Sequence, residues 1–249
     1  MLAGPEKYHK AMRDPRVAKW KEAMETEIEA LEHNDTWKVF VKPRDAKLLH
    51  SKWVYKLKLY ADGSIELYKA RLVARGDEQE YGVDYTITFS AVLEMVSGKV
   101  ILAVPIIWGV PARHGDVPSA YVKADKKEEM EILLHIPQGM DISIELLGKL
   151  CVKAERQLAL RLKKGLYGLK QSGRLWNLML HEILLSLGLR QCYTDGCMYI
   201  KDEADGKTLV GIYGGYMLVT GTSVEKVDTF FKDMKVVELK DLGVVTKLA

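Results

Sequence analysis

Apolar residues in this chain follow two rhythms. At intervals of three and four they mark helices: Trp20, Met24, Ile28 and Leu31 within Val17 to His33, behind an Asp14-Pro15 start signal, and Leu175, Leu178, Met179, Ile183 and Leu187 ahead of Gly188, an acceptable helix stop. The stretch "SVEKVDTFFKDMK" repeats the helical spacing near the end of the chain. In alternation with polar residues they mark strands. "SKWVYKLKLYADGSIELYKARLVARG", 51 to 76, alternates on both sides of Asp62-Gly63 and reads as a hairpin closed by that turn. "PARHGDVPSAYV", 111 to 122, reads as a strand with Asp116 near its start, and residues 197 to 221 hold two consecutive hairpins. The second of these turns on Gly214-Gly215, a pair suited to a type I′ turn because both central positions there need positive φ. Helices mixed with hairpin-joined antiparallel strands predict an α+β fold and argue against a doubly wound parallel sheet.

Composition adds bounds. The chain has 249 residues, 48% of them apolar, enough to bury a core of ordinary size in one large or two intimate units. Trp20, Trp37, Trp53 and Trp176 are most simply core aromatics. The net charge is only +3, so a polyanionic partner has to be sought in local patches. One such patch is visible: a single face of the 51–76 hairpin carries Lys56, Lys58, Lys69, Arg71 and Arg75. Cys151, Cys192 and Cys197 make no even disulfide framework, and the Cys192/Cys197 spacing lacks a second ligand pair for zinc, which suits reduced thiols. No apolar run approaches the roughly 20 residues that span a bilayer, and the first residues lack the apolar core of a secretion signal. The expectation is an intracellular protein, cytoplasmic or nuclear, with no membrane partner. Walker, GxSxG and HExxH patterns are absent.

Six blocks occur in order: "WKEAMETEIEALEHNDTW", "KWVYKLKLYADGSIELYKARLVARG", "GVDYTITFSAV", "GDVPSAY", "LKKGLYGLKQSGRLW" and "LKDLG". Together they resemble the reverse transcriptase of copia-type retrotransposons, from about Trp20 to about Gly243. The resemblance implies an RNA-directed DNA polymerase segment of a polyprotein, with the fingers and palm of a right-hand polymerase fold, a template-primer of RNA or DNA as partner, and magnesium as cofactor. It divides the chain into an N-terminal helical and extended part of the fingers (1–46), a fingers hairpin and helix (47–110), a first palm strand (111–124), a fingers insertion (125–165) and the rest of the palm (166–249), stopping before the connection and RNase H parts. Asp116 then takes the place of the first catalytic aspartate, and Tyr121 that of the aromatic beneath the incoming sugar. Arg71, with Lys56 or Lys58, takes the place of the residues that grip the triphosphate. Gln171 falls in the loop lining the nucleotide pocket, and Lys69, Arg75, Lys170 and Arg174 would meet nucleic acid.

At one point the resemblance breaks. The family's tip reads Tyr-Val-Asp-Asp, whereas this chain has Tyr213-Gly214-Gly215-Tyr216. Gly215 and Tyr216 stand where two metal-binding aspartates are expected, which leaves Asp116 as a lone, weak metal ligand. Nucleotidyl transfer by this fold uses two magnesium ions, and magnesium demands hard oxygen ligands in near-octahedral geometry. The sequence therefore predicts a polymerase inactive or nearly so, with magnesium not bound productively. Asp202, Glu203 and Asp205 are spare carboxylates, but the turn at Asp205-Gly206 should lie at the opposite end of the strand. Pro105 and Gly98 interrupt an expected helix, where an interior proline costs about 3 kcal/mol, and Ala91 and Glu94 also depart from the family's pattern. The alternative reading is a non-catalytic nucleic-acid-binding or protein-interaction module built on the old polymerase fold.

Overall fold

A computed structural model describes residues 4–126 and 130–245. The outer ends of the first and last expected segments, 1–3 and 246–249, and residues 127–129 of the expected insertion lie outside the described residues. The helices are α1 (Tyr8–Ala11), α2 (Val17–His33), α3 (Met95–Trp108), α4 (Ile144–Lys149), α5 (Ser172–Ser186) and α6 (Val224–Asp233). The strands are β1 (Trp37–Val41), β2 (Ser51–Leu59), β3 (Ile65–Ala74), β4 (Arg113–Asp116), β5 (Leu133–Leu134), β6 (Leu158–Leu162), β7 (Arg190–Gln191), β8 (Met198–Glu203), β9 (Gly206–Tyr213), β10 (Tyr216–Gly221) and β11 (Lys240–Val244). The secondary structure is thus α+β, with strands paired antiparallel in all three sheets. No helix among the described residues is long and apolar enough to cross a membrane. Two compact units form, Met1–Thr88 with Ala124–Ser172 and Phe89–Lys123 with Gly173–Ala249.

In the first unit α2 covers one face of the β2–β3 hairpin. Pairing sets Trp53 opposite Leu72 and Tyr55 opposite Ala70, and these alternate positions are buried. Trp20 on α2 is fully buried and meets Tyr55 and Tyr68 edge-on, ring centroids 5.3 and 4.8 Å away, the orientation aromatic quadrupoles favour. Trp37 and Trp53 are also buried, as expected of core aromatics. The register β1–β6–β5 supplies a second, three-stranded sheet.

The apolar stripe of α2 contains one polar intruder. Glu27 is buried, and its Oε1 accepts a hydrogen bond from the Leu72 N–H at 3.3 Å. Burial pushes its carboxyl above the usual glutamate range, while the Arg71 charge opposes the rise. A raised folded-state pKa means that the stabilising contribution is complete below the ordinary glutamate value and is lost as pH rises through the elevated one. Glu27→Gln is therefore expected to flatten the pH dependence of stability in that window, measured by urea denaturation across mildly acid to neutral pH. An unchanged profile would show that Glu27 does not titrate there.

In the second unit the six strands run in the order β11-β4-β10-β9-β8-β7. Helix α5 buries Trp176, Leu180 and Leu184, and α6, capped by the Ser223 side chain on the Lys226 N–H, buries Val227, Phe230 and Phe231. Ile101 of α3 presses onto β9 so closely that a Cβ at Gly211 would lie 2.4 Å from its Cδ1.

Three local expectations change here. The strand expected over 111–122 ends at Asp116 rather than beginning near it. Pro118 has no N–H to give to a ladder, and Ser119, at φ 53°, turns the chain into a 3₁₀ turn over Ala120–Val122. The Gly214-Gly215 turn has positive φ at Gly214 alone (60°), the requirement of a type II′ turn and not of type I′. Helix α3 continues through Gly98 and Pro105: the Gly98 N–H reaches Glu94 O at 3.0 Å, and Pro105 lies in the last turn before Gly109 (φ 69°), forfeiting one bond without breaking the helix.

Candidate functional site

The second unit brings Asp116 and the 213–216 tip together. Antiparallel pairing sets Tyr216 of β10 directly opposite Asp116 on one side, and Lys240 of β11 opposite it on the other. The Val117 N–H donates to Gly215 O at 2.9 Å and ties the two turns. A Cβ placed on Gly215 would stand 3.7 Å from Asp116 Oδ1, and 3.3 Å from both Ala120 Cβ and Val117 O. Gly215 does not have positive φ, so an L side chain fits its backbone. A side chain at position 215 would therefore start beside Asp116. Tyr213 and Tyr216 are cross-strand partners, 61% and 57% exposed.

Around the tip, the Trp176 indole N–H donates to Gly214 O at 2.8 Å, pinning the turn to α5. Tyr121, on the 3₁₀ turn and half-buried, has its hydroxyl 3.5 Å from the place a Gly214 Cβ would occupy. Ser90 Oγ donates to Gly173 O at 3.2 Å, and Arg174 Nη1 donates to Phe89 O at 3.3 Å. A cavity of about 250 Å³ opens among Ser90, Tyr121, Trp176, Asn177 and Tyr213. The sequence pointed to Trp176 as a core aromatic, which it is; its hold on the tip carries no signal in periodicity. Lys240 was missed because its pairing with β4 is visible only in three dimensions.

The donor set does not fit a pair of magnesium ions. At the tip Asp116 offers one carboxylate, Gly215 no side chain, and Tyr216 a bulky phenol in place of a carboxylate. Among the described residues no group of three or more His, Cys, Asp or Glu side chains is arranged to hold a metal ion. The spare carboxylates are committed elsewhere. Glu203 and Asp205 grip Lys226 at 2.8 and 2.5 Å, and Asp202 pairs with Lys207 at 2.7 Å, all at the far end of β9. Eight residues of strand put that end about 25 Å from the tip. Asp241, next to Lys240, pairs with Arg113.

The first unit carries the remaining candidates. On the outer face of the hairpin Lys56 stands directly opposite Lys69, and Arg71 opposite Val54, with Lys58 further along the same face. Like charges directly opposed in a ladder repel. Arg71 lies over the Tyr167 ring, 4.4 Å from its centroid. Arg75 is instead engaged by Asp77 at 2.5 Å and Glu78 at 3.3 Å. Lys170 Nζ sits over the Tyr85 ring at 4.4 Å and reaches its hydroxyl at 3.1 Å. Gln171 is buried, its amide donating to Asp84 O and accepting from Gln79 Nε2, both at 3.0 Å. Its polar atoms are spent on holding its loop to the 79–84 segment.

The family model described as "Reverse transcriptase (RNA-dependent DNA polymerase)" matches residues 34–249. The chain is 30% identical over 241 residues to the retrovirus-related Pol polyprotein from transposon TNT 1-94 of Nicotiana tabacum, covering 96% of this chain and 17% of that protein. It is 31% identical over 212 residues to the retrovirus-related Pol polyprotein from transposon RE2 of Arabidopsis thaliana, covering 85% of this chain and 14% of that one. The truncated transposon Ty1-A Gag-Pol polyprotein of Saccharomyces cerevisiae is 29% identical over 192 residues, 74% of this chain and 14% of that protein. The chain therefore spans less than a fifth of the polyproteins it matches. It belongs to the reverse transcriptase (RNA-dependent DNA polymerase) family, in the copia-type group.

Proposed function

We propose that this chain is the fingers-and-palm portion of a copia-type reverse transcriptase that has lost nucleotidyl transfer and keeps a capacity to bind template-primer. In this reading the first unit is the fingers, the second the palm, and the protein acts inside the cell on RNA or DNA. The observation that carries it is the position beside Asp116, where a Cβ on Gly215 would stand 3.7 Å from Oδ1 and where glycine provides no carboxylate. Reverse transcriptases generally use divalent metal. A site with one carboxylate cannot place two such ions against a primer hydroxyl and a triphosphate, and no step of metal-assisted transfer is available to these residues.

The binding reading is supported by Lys56, Lys69 and Arg71 gathered on one hairpin face, a concentration of positive charge complementary to a phosphate backbone. Titrating a labelled RNA–DNA hybrid at several salt concentrations tests it. Affinity should fall linearly in log–log terms with salt, and Lys56→Ala with Lys69→Ala should lower that slope by about 2, roughly one for each phosphate no longer neutralised. Weak binding with no salt slope would exclude the reading.

A further inference from the structure

Helix α3 presents an unusual face to solvent. Among its 14 residues Lys99 is the one charged side chain. Ile101 is fully buried against the sheet, while Met95, Val96 and Val100, with Ile106 and Ile107 on the same outer arc, are exposed, the last two at 85% and 81%. Ala103 is exposed among them. A helix face open to water is ordinarily polar, and a contiguous apolar surface of several hundred Å² marks an interaction site.

The spacing of the arc says what fits it. Val96, Val100, Ala103 and Ile107 recur at intervals of four, three and four, the seam of a two-helix pair. They are also symmetric about the midpoint between Ile101 and Leu102: Val96 mirrors Ile107, and Val100 mirrors Ala103. Two copies of the helix laid antiparallel across a two-fold axis set Val96 against Ile107 and Val100 against Ala103 twice over, the self-complementary contact that such symmetry requires. We infer that α3 pairs with α3 of a second copy of this chain, making an antiparallel homodimer. A helix of this length is about 21 Å long. Covering the arc on both copies removes on the order of 1,000 Å², near the lower bound for a specific interface, so a weak, reversible dimer is expected. The inference rests on this surface and is independent of the polymerase reading.

Sedimentation velocity over a concentration series of the full chain tests it. A monomer–dimer equilibrium is expected, and Val96→Glu or Ile107→Lys alone should weaken it by at least about tenfold. Both positions are exposed, so the circular dichroism spectrum should not change. The chain carrying both substitutions places a carboxylate against an ammonium on each side of the axis and should recover much of the lost affinity, which only the antiparallel register provides. A chain that stays monomeric, a dimer indifferent to either substitution, or a double variant no tighter than the singles would overturn the inference. So would a monomer that binds phosphatidylcholine vesicles through this helix, which would assign the face to lipid.

Discussion

Restoring carboxylates at the tip, Gly215→Asp with Tyr216→Asp, is expected to raise primer extension about a thousandfold or more over the unaltered chain, corresponding to some 4 kcal/mol of barrier. The geometry favours the first change. The position already faces Asp116 Oδ1 at 3.7 Å on a backbone that accepts an L side chain, and Ala120 Cβ and Val117 O, at 3.3 Å, need to yield only a few tenths of an ångström. The second change puts an anion opposite Asp116 in the ladder, where Lys240 on the other side tempers the repulsion. Neither substitution alone should approach the double, because two ions need both ligands. A double variant that folds, binds hybrid and remains silent would mean that departures elsewhere have disabled transfer as well.

The largest loss of stability is expected at Gly168, in the "LYGLKQ" block. Its φ is 87°, and a Cβ there would fall 2.2 Å from Ala74 O, a backbone atom that cannot move aside. Gly76 faces it from the other chain segment, where a Cβ would lie 2.1 Å from Gly168 O. These two glycines let the 165–171 loop lie on the end of β3, where the Ala74 N–H bonds to Tyr167 O at 2.7 Å and Arg71 covers the Tyr167 ring. Gly168→Ala should cost more than about 3 kcal/mol, lowering the melting temperature by about 10 °C. Gly63→Ala provides the comparison. Gly63 has φ 84° but nothing within 4 Å of a Cβ, so only the backbone strain of about 1 kcal/mol applies. Equal effects at the two sites would show that the close approach of the two backbones does not matter.

Where local spacing decides structure, the residues announced it. The stripe of Trp20, Met24 and Leu31 specified α2 over Val17–His33, and alternation around Asp62-Gly63 specified β2 and β3 with Lys56 and Arg71 on one face. Where a single backbone group decides, spacing was not enough. The strand beginning before Asp116 stops there because Pro118 cannot donate, and Glu27 reads as a polar helix position although the Leu72 N–H draws it inside. Pairings between distant segments were invisible in the same way. Lys240 reaches Asp116, and Gly76 reaches Gly168, across more than 90 residues each. Both units are assembled from two separated stretches of chain, so no local pattern could outline them. The altered tip was the exception. Its meaning came from comparing four residues with a family pattern, and its physical consequence from the geometry at Gly215.

Single-nucleotide addition to a labelled primer on an RNA template, by the unaltered chain at saturating nucleotide with magnesium and again with manganese, tests the central claim most directly. The expected result is hybrid bound and no product above the protein-free control with either ion. A primer lengthened by even one nucleotide in proportion to the protein added would show that Asp116 and its neighbours can assemble a working metal site, contradicting the account.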